Sequence, residues 1–176
     1  MAEDQESLDA LSHTVQSHLS QNRTDLAHAT AKTARSLHGD IPQVNLMESW
    51  IGLREGGPNY QRAFYVFEEL AQAPPSDSSS DAERANYLTA QAVSELHLHR
   101  WQEAETALRQ ALEVKGDNGD AMADLIVLQT ILGRGEEVLK TKERLAGMGH
   151  TLLEDLDRKR EAFSAAAAKY KPKFEP

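Results

Sequence analysis

Trp101, Ala104, Leu108 and Ala111 stand three, four and three residues apart, and Tyr60, Ala63, Phe67 and Leu70 repeat that spacing. Thr24, Ala27, Ala31 and Ala34 follow it with smaller residues, and Val138, Lys142 and Leu145 give a degenerate fourth copy. Positions three and four apart fall on one face of an α-helix, so each set forms an apolar stripe. Alanine in such a stripe has a specific use. Two helices cross closely only where the side chain at the crossing is small, and large residues then fill the grooves beside it. Ala27, Ala63, Ala104 and Val138 are separated by 36, 41 and 34 residues. One hairpin cannot bury its own apolar face, so a chain built this way must stack its units.

The spacing is that of the tetratricopeptide unit, about 34 residues long. The longest interval therefore carries about seven extra residues, which fall in the loop-like stretch PPSDSSSDAE, residues 74–83. The predicted fold class is all-α: a right-handed α-solenoid of about four tetratricopeptide-like hairpins plus a C-terminal capping helix. One domain spans 1–176, with repeats near 8–41, 44–77, 85–118 and 119–152 and a last helix over 152–170. In this reading Tyr60, Ala63, Phe67, Trp101, Ala104, Leu108 and Ala111 are structural, and Trp101 packs at a helix–helix turn. The β-branched pair Ile126-Val127 continues helically within LIVLQTIL, so no strand is expected. Ser80-x-x-Glu83 and Thr151-x-x-Glu154 read as capping boxes, and Pro42 suits a first helical position. Leu152, Leu153, Leu156, Phe163 and Tyr170 fall on one side of the last helix, which Pro172 stops and which covers the open end of the stack.

The formal charge of −9 argues against nucleic acid or an anionic membrane as a direct partner, because both select clustered cations. The chain has no cysteine, which excludes thiol chemistry and fits a reducing cytosol. The acidic start MAEDQESLDA is no signal peptide, and no stretch reaches the ~20 apolar residues of a membrane span. Asn22-Arg23-Thr24 matches a glycosylation acceptor by chance. His97 and His99 point to opposite sides of a helix and cannot share a metal. Gly133-Arg134-Gly135 lacks the phosphate-loop spacing. No nucleophile, base and oxyanion site assembles, so we expect no enzyme, no cofactor and no metal.

LIVLQTIL (125–132) is apolar nearly all round. Leu125, Ile126 and Leu128 can face the partner helix and neighbouring repeat, leaving Val127 and Ile131 on the inner surface. Val93 and Leu96 occupy comparable inner positions one repeat earlier, and Leu19 does so in the first. Such a lining calls for a cover, supplied by the chain itself or by an apolar helix of another protein. Val93, Leu96, Val127 and Ile131 are therefore the expected partner-binding residues. The inner positions that would match a basic peptide clamp are Asp9, Asn45, Glu48, Asn86, Asp120 and Ala123. None is basic, which argues against the rival reading, a tetratricopeptide-type co-chaperone or peptide-binding adaptor.

NYQRAFYVFEELAQ, HRWQEAETALRQALEVKGDNGDAMADLIVLQTILGRGEEV and DLDRKREAFSAAAAKY together resemble the epsilon subunits of coatomer, over about residues 10–171. The match rests on Tyr60, Ala63, Tyr65, Phe67, Arg100, Trp101, Ala104, Leu108, Ala111, Leu125, Ile126, Val127, Leu128, Leu132, Gly133, Lys159, Phe163 and Tyr170. Asp124 stands where the family usually has Asn. The resemblance implies a structural part of the COPI vesicle coat that binds and stabilises the C-terminal domain of the coatomer alpha subunit. It would meet other coatomer subunits indirectly and the membrane only through the coat. Its place would be the cytoplasm, on Golgi and vesicle membranes, in Golgi-to-ER and intra-Golgi transport. Family members are longer at the N-terminus, so the resemblance also implies a C-terminal portion of a longer chain.

Overall fold

The computed structural model describes residues 2–74 and 80–170, with side chains from residue 7 onward. Among the described residues there are nine helices and no strand. In order they are α1 (Ala2–Ser20), α2 (Thr24–His38), α3 (Pro42–Glu55), α4 (Asn59–Gln72), α5 (Asp81–His97), α6 (Trp101–Val114), α7 (Gly119–Ile131), α8 (Gly135–Ala146) and α9 (Thr151–Lys169). The all-α expectation holds. The core of the serine-rich loop, 75–79, and the proposed stop at Pro172 lie outside the described residues. The chain divides into two compact units, Met1–Asn118 and Gly119–Pro176.

In the first unit each helix packs on its neighbour in the chain, and α1 also reaches α3. The alanines of the sequence stripes are the crossing points: Ala27, Ala31, Ala34, Ala63, Ala104 and Ala111 are all buried. Leu8, Val15, Val44, Met47 and Ile51 fill the grooves around α1–α3, and Phe67 and Leu108 do so further on. Ser80 caps α5 as its sequence implies, the hydroxyl accepting from Glu83 N–H while the Glu83 carboxylate accepts from Ser80 N–H. Pro42 opens α3. Trp101 opens α6, half-buried, edge-on to the His99 ring at 5.1 Å.

The α3–α4 turn depends on a glycine. Gly56 has φ +77°, and a Cβ there would lie 2.9 Å from the Tyr60 hydroxyl. The Tyr60 ring stacks flat on His97, 4.3 Å between centroids, and so ties α4 to α5. A side chain at 56 would strain the backbone and push this ring off its partner. Gly56→Ala should lower the unfolding free energy by about 1–2 kcal/mol in urea titrations read by tryptophan fluorescence.

In the second unit α7 packs on α8. Ala121, Met122, Leu125, Ile126, Leu128 and Leu145 are buried. Thr141 Oγ1 donates to buried Gln129 Oε1 at 3.0 Å, and Gln129 Nε2 donates to Glu137 at 3.3 Å, so the polar groups inside the pair are matched.

Two expectations for α9 need correction. Its N-cap is His150, not Thr151. His150 has the extended backbone of a cap, and its Nδ1 accepts from Leu152 N–H at 3.2 Å. Its Nε2 meets Asp120 Oδ1 at 3.0 Å, so a single neutral tautomer, protonated on Nε2, satisfies both bonds. Nor does α9 bury a face as a cover would. None of its residues is buried, and Phe163 and Tyr170 are 75% and 78% exposed. Leu152, Leu153 and Leu156 at its start are half-buried, and local forces account for the rest of the helix. Arg158 pairs with Asp155 and Arg160 with Asp157, both three apart, and Ala165–Ala168 are the best helix formers.

Candidate interaction surface

On α7 the apolar residues part as the sequence suggests. Leu125, Ile126 and Leu128 are buried, while Val127 and Ile131 are 44% and 53% exposed. These two are four apart, one turn along a single stripe, so they form one small patch of the second unit. Leu139 on α8 is also exposed. The sequence reading does not single it out, and the available signal is that it falls off the Val138–Lys142–Leu145 stripe, next to Lys140.

In the first unit Val93 and Leu96, three apart on α5, are both half-buried. Asn86 and Ala90 precede Val93 along the same side of α5. They line a cleft of about 300 Å³ with Leu46 and Trp50 of α3 and Gln16 of α1. Tyr87 lies here too, its phenol pKa pushed up by burial and then by Glu83. Leu19 is half-buried.

The polar positions grouped as one inner surface do not share one face. Asn45 and Glu48 turn away from Leu46 and Trp50, into a cleft of about 360 Å³ between α2 and α4. There they hold Arg35. Its Nε and Nη2 donate to Glu48 at 3.1 and 2.6 Å, Nη2 also to Asn45 at 2.8 Å, and Nη1 to Asp40 at 2.6 Å. These carboxylates raise the pKa of the guanidinium, and Arg35 holds the Asp40 carboxyl below its ordinary value. Lys32 and Arg62 line the same cleft, so it is not free of cations. Ala123 is buried and lines no surface. Asp9 accepts from Gln43 at 3.0 Å, and Asp120 meets His150.

Asp124, one turn after Asp120 on α7, is half-buried. Burial first, then the Asp120 charge, lift its carboxyl to about 7, and His150 opposes the rise. Among the described residues no three carboxylate, imidazole or thiol groups converge as a metal site would require. Among them no helix is long and apolar enough to cross a membrane.

The family model of the coatomer epsilon subunit matches residues 1–171. The chain belongs to the coatomer epsilon subunit family. Among its relatives, the Arabidopsis thaliana coatomer subunit epsilon-1 is 24% identical over 139 residues, 79% of this chain and 45% of the relative. A probable coatomer subunit epsilon of Schizosaccharomyces pombe is 31% identical over 129 residues, 73% and 42% respectively. The Dictyostelium discoideum coatomer subunit epsilon is 25% identical over 134 residues, 76% and 42%. The chain thus spans about half the length of the relatives it matches. The family membership implied by the Tyr60–Phe67 and Trp101–Ala111 segments is thereby established.

Proposed function

We propose that this chain is a non-catalytic structural part of the COPI coat that binds the C-terminal domain of the coatomer alpha subunit and stabilises it. In this reading its helical hairpins stack as a right-handed tetratricopeptide-like solenoid. It works at the cytoplasmic side of Golgi and vesicle membranes, in Golgi-to-ER and intra-Golgi transport, with other coat components providing membrane contact. Family membership supports the assignment to a coat. The observation that carries the interaction is the exposed pair Val127 and Ile131 on a helix whose other large apolar residues are buried. In the first unit Val93 and Leu96 are the proposed contact residues, taken by themselves.

Charge placed in this patch should block docking without harming the fold, because both side chains already meet solvent. Val127→Asp with Ile131→Asp is expected to weaken binding to the purified C-terminal domain of the alpha subunit at least tenfold by isothermal titration calorimetry. Circular dichroism should stay helical. Undiminished affinity would remove the patch from the interface, and no affinity in the parent chain would remove the alpha subunit as its partner.

A further inference from the structure

A cleft of about 490 Å³ runs between α4 and α6 over α5, lined by Phe64, Glu68, Gln91, Glu95, Glu103 and Gln110. Glu95 is 3% exposed, and its Oε2 has no hydrogen-bond partner. A buried acceptor left unpaired costs about 1–3 kcal/mol, more when it carries charge. The nearest cation is Arg100, also on the cleft wall, with Nη1 3.9 Å from Glu95 Oε2, beyond hydrogen-bond reach. Arg100 is engaged elsewhere: Nη2 donates to Gln61 Oε1 at 2.6 Å, and the guanidinium lies 5.5 Å from the centre of the Phe64 ring. Burial raises the Glu95 pKa, Arg100 opposes the rise, and Glu103 and Glu68 add to it. Three carboxylates therefore share this cleft with one arginine.

We infer that the cleft between α4 and α6 receives an arginine side chain from a partner polypeptide, whose guanidinium donates to Glu95 Oε2 and to Glu103. The ligand class follows from the lining. A guanidinium presents five donors in a planar fork and suits a slot offering carboxylate oxygens together with the side-chain amides of Gln91 and Gln110. An ammonium is a more strongly hydrated point charge and loses more on entering such a slot. This site stands on its own residues and does not depend on which protein covers Val127 and Ile131.

The test is an NMR titration of the whole chain with N-acetyl-arginine amide, using N-acetyl-citrulline amide as the neutral isostere. The arginine compound should give saturable shifts centred on Gln91, Thr106 and Gln110, and the citrulline compound none. Glu95→Gln and the exposed Glu103→Gln should each weaken the response at least tenfold, and the second leaves the core untouched. The inference is overturned if no saturable shift appears in the cleft, as when Arg100 swings off Gln61 to close the pair itself. An equal response to citrulline, or unchanged affinity in both variants, overturns it too.

Discussion

Phe67→Ala should lower the unfolding free energy of the first unit by about 4 kcal/mol. Among the described residues Phe67 is the largest side chain that is wholly out of solvent, at 0% exposure. The cost of such a deletion depends on how far the surroundings collapse into the space left behind. Here collapse is limited by the feature that made the fold legible. Ala63 and Ala71, one turn either side on α4, are buried, and small residues at a helix crossing already let the backbones approach closely. The helices have little room to close further, so the cavity persists and the loss falls in the upper part of the usual range. Both tryptophans, Trp50 and Trp101, lie in this unit, so their fluorescence in a urea titration reports it directly. Tyr65→Ala, two residues away on the exposed side of α4, should change stability by no more than about 0.5 kcal/mol. A loss below about 2 kcal/mol for Phe67→Ala would mean that the alanine-lined crossings yield.

The helices are readable because their constraints are local. Alanine every three or four residues, Ser80 ahead of Glu83, and Pro42 at a first turn each act within one helix, and each is found in place. The direction a helix face points is a different matter, since it depends on what lies across from it. Helix α3 carries Val44, Leu46, Met47, Trp50, Ile51 and Leu53 nearly all round, so its periodicity selects no side. Repeat position alone puts Asn45 and Glu48 on the surface of Asn86. The fork of Arg35, ten and thirteen residues earlier on α2, turns them into another cleft. On α9 the apolar spacing correctly predicts a helix, but its stripe is only half-buried at Leu152, Leu153 and Leu156 and is exposed beyond them. Phe163 and Tyr170 share a side with Leu156, but spacing cannot supply a surface for them to meet. The Thr151 cap fails because the cap falls one residue earlier: His150 takes the extended cap backbone and its imidazole nitrogen accepts from Leu152 N–H, whereas a Thr151 hydroxyl would have accepted from Glu154 N–H. The exposed pair on α7 is legible because LIVLQTIL has more apolar residues than one packed face can use.

Asp124→Asn should separate from the parent chain in stability by about 2 kcal/mol more at pH 8 than at pH 5. The folded carboxyl titrates near 7, because burial and the like charge of Asp120 penalise its ionised form more than His150 relieves it. In the unfolded chain it titrates near its ordinary value of 3.8. Between those values the folded state holds a proton that the unfolded state has released, so stability falls as pH rises. The slope approaches 1.4 kcal/mol per pH unit inside that window and vanishes above the folded value. An amide at 124 has the same shape and never ionises, so this slope disappears. Asn is also the residue that the family resemblance expects at this position. The second unit has no tryptophan, so the measurement is amide hydrogen exchange of α7 in both proteins at the two pH values, with exchange rates corrected for pH. If the gap between variant and parent were the same at pH 5 and pH 8, Asp124 would be ionised throughout. The α7 surface beside Val127 would then carry a full negative charge at every pH where a partner docks.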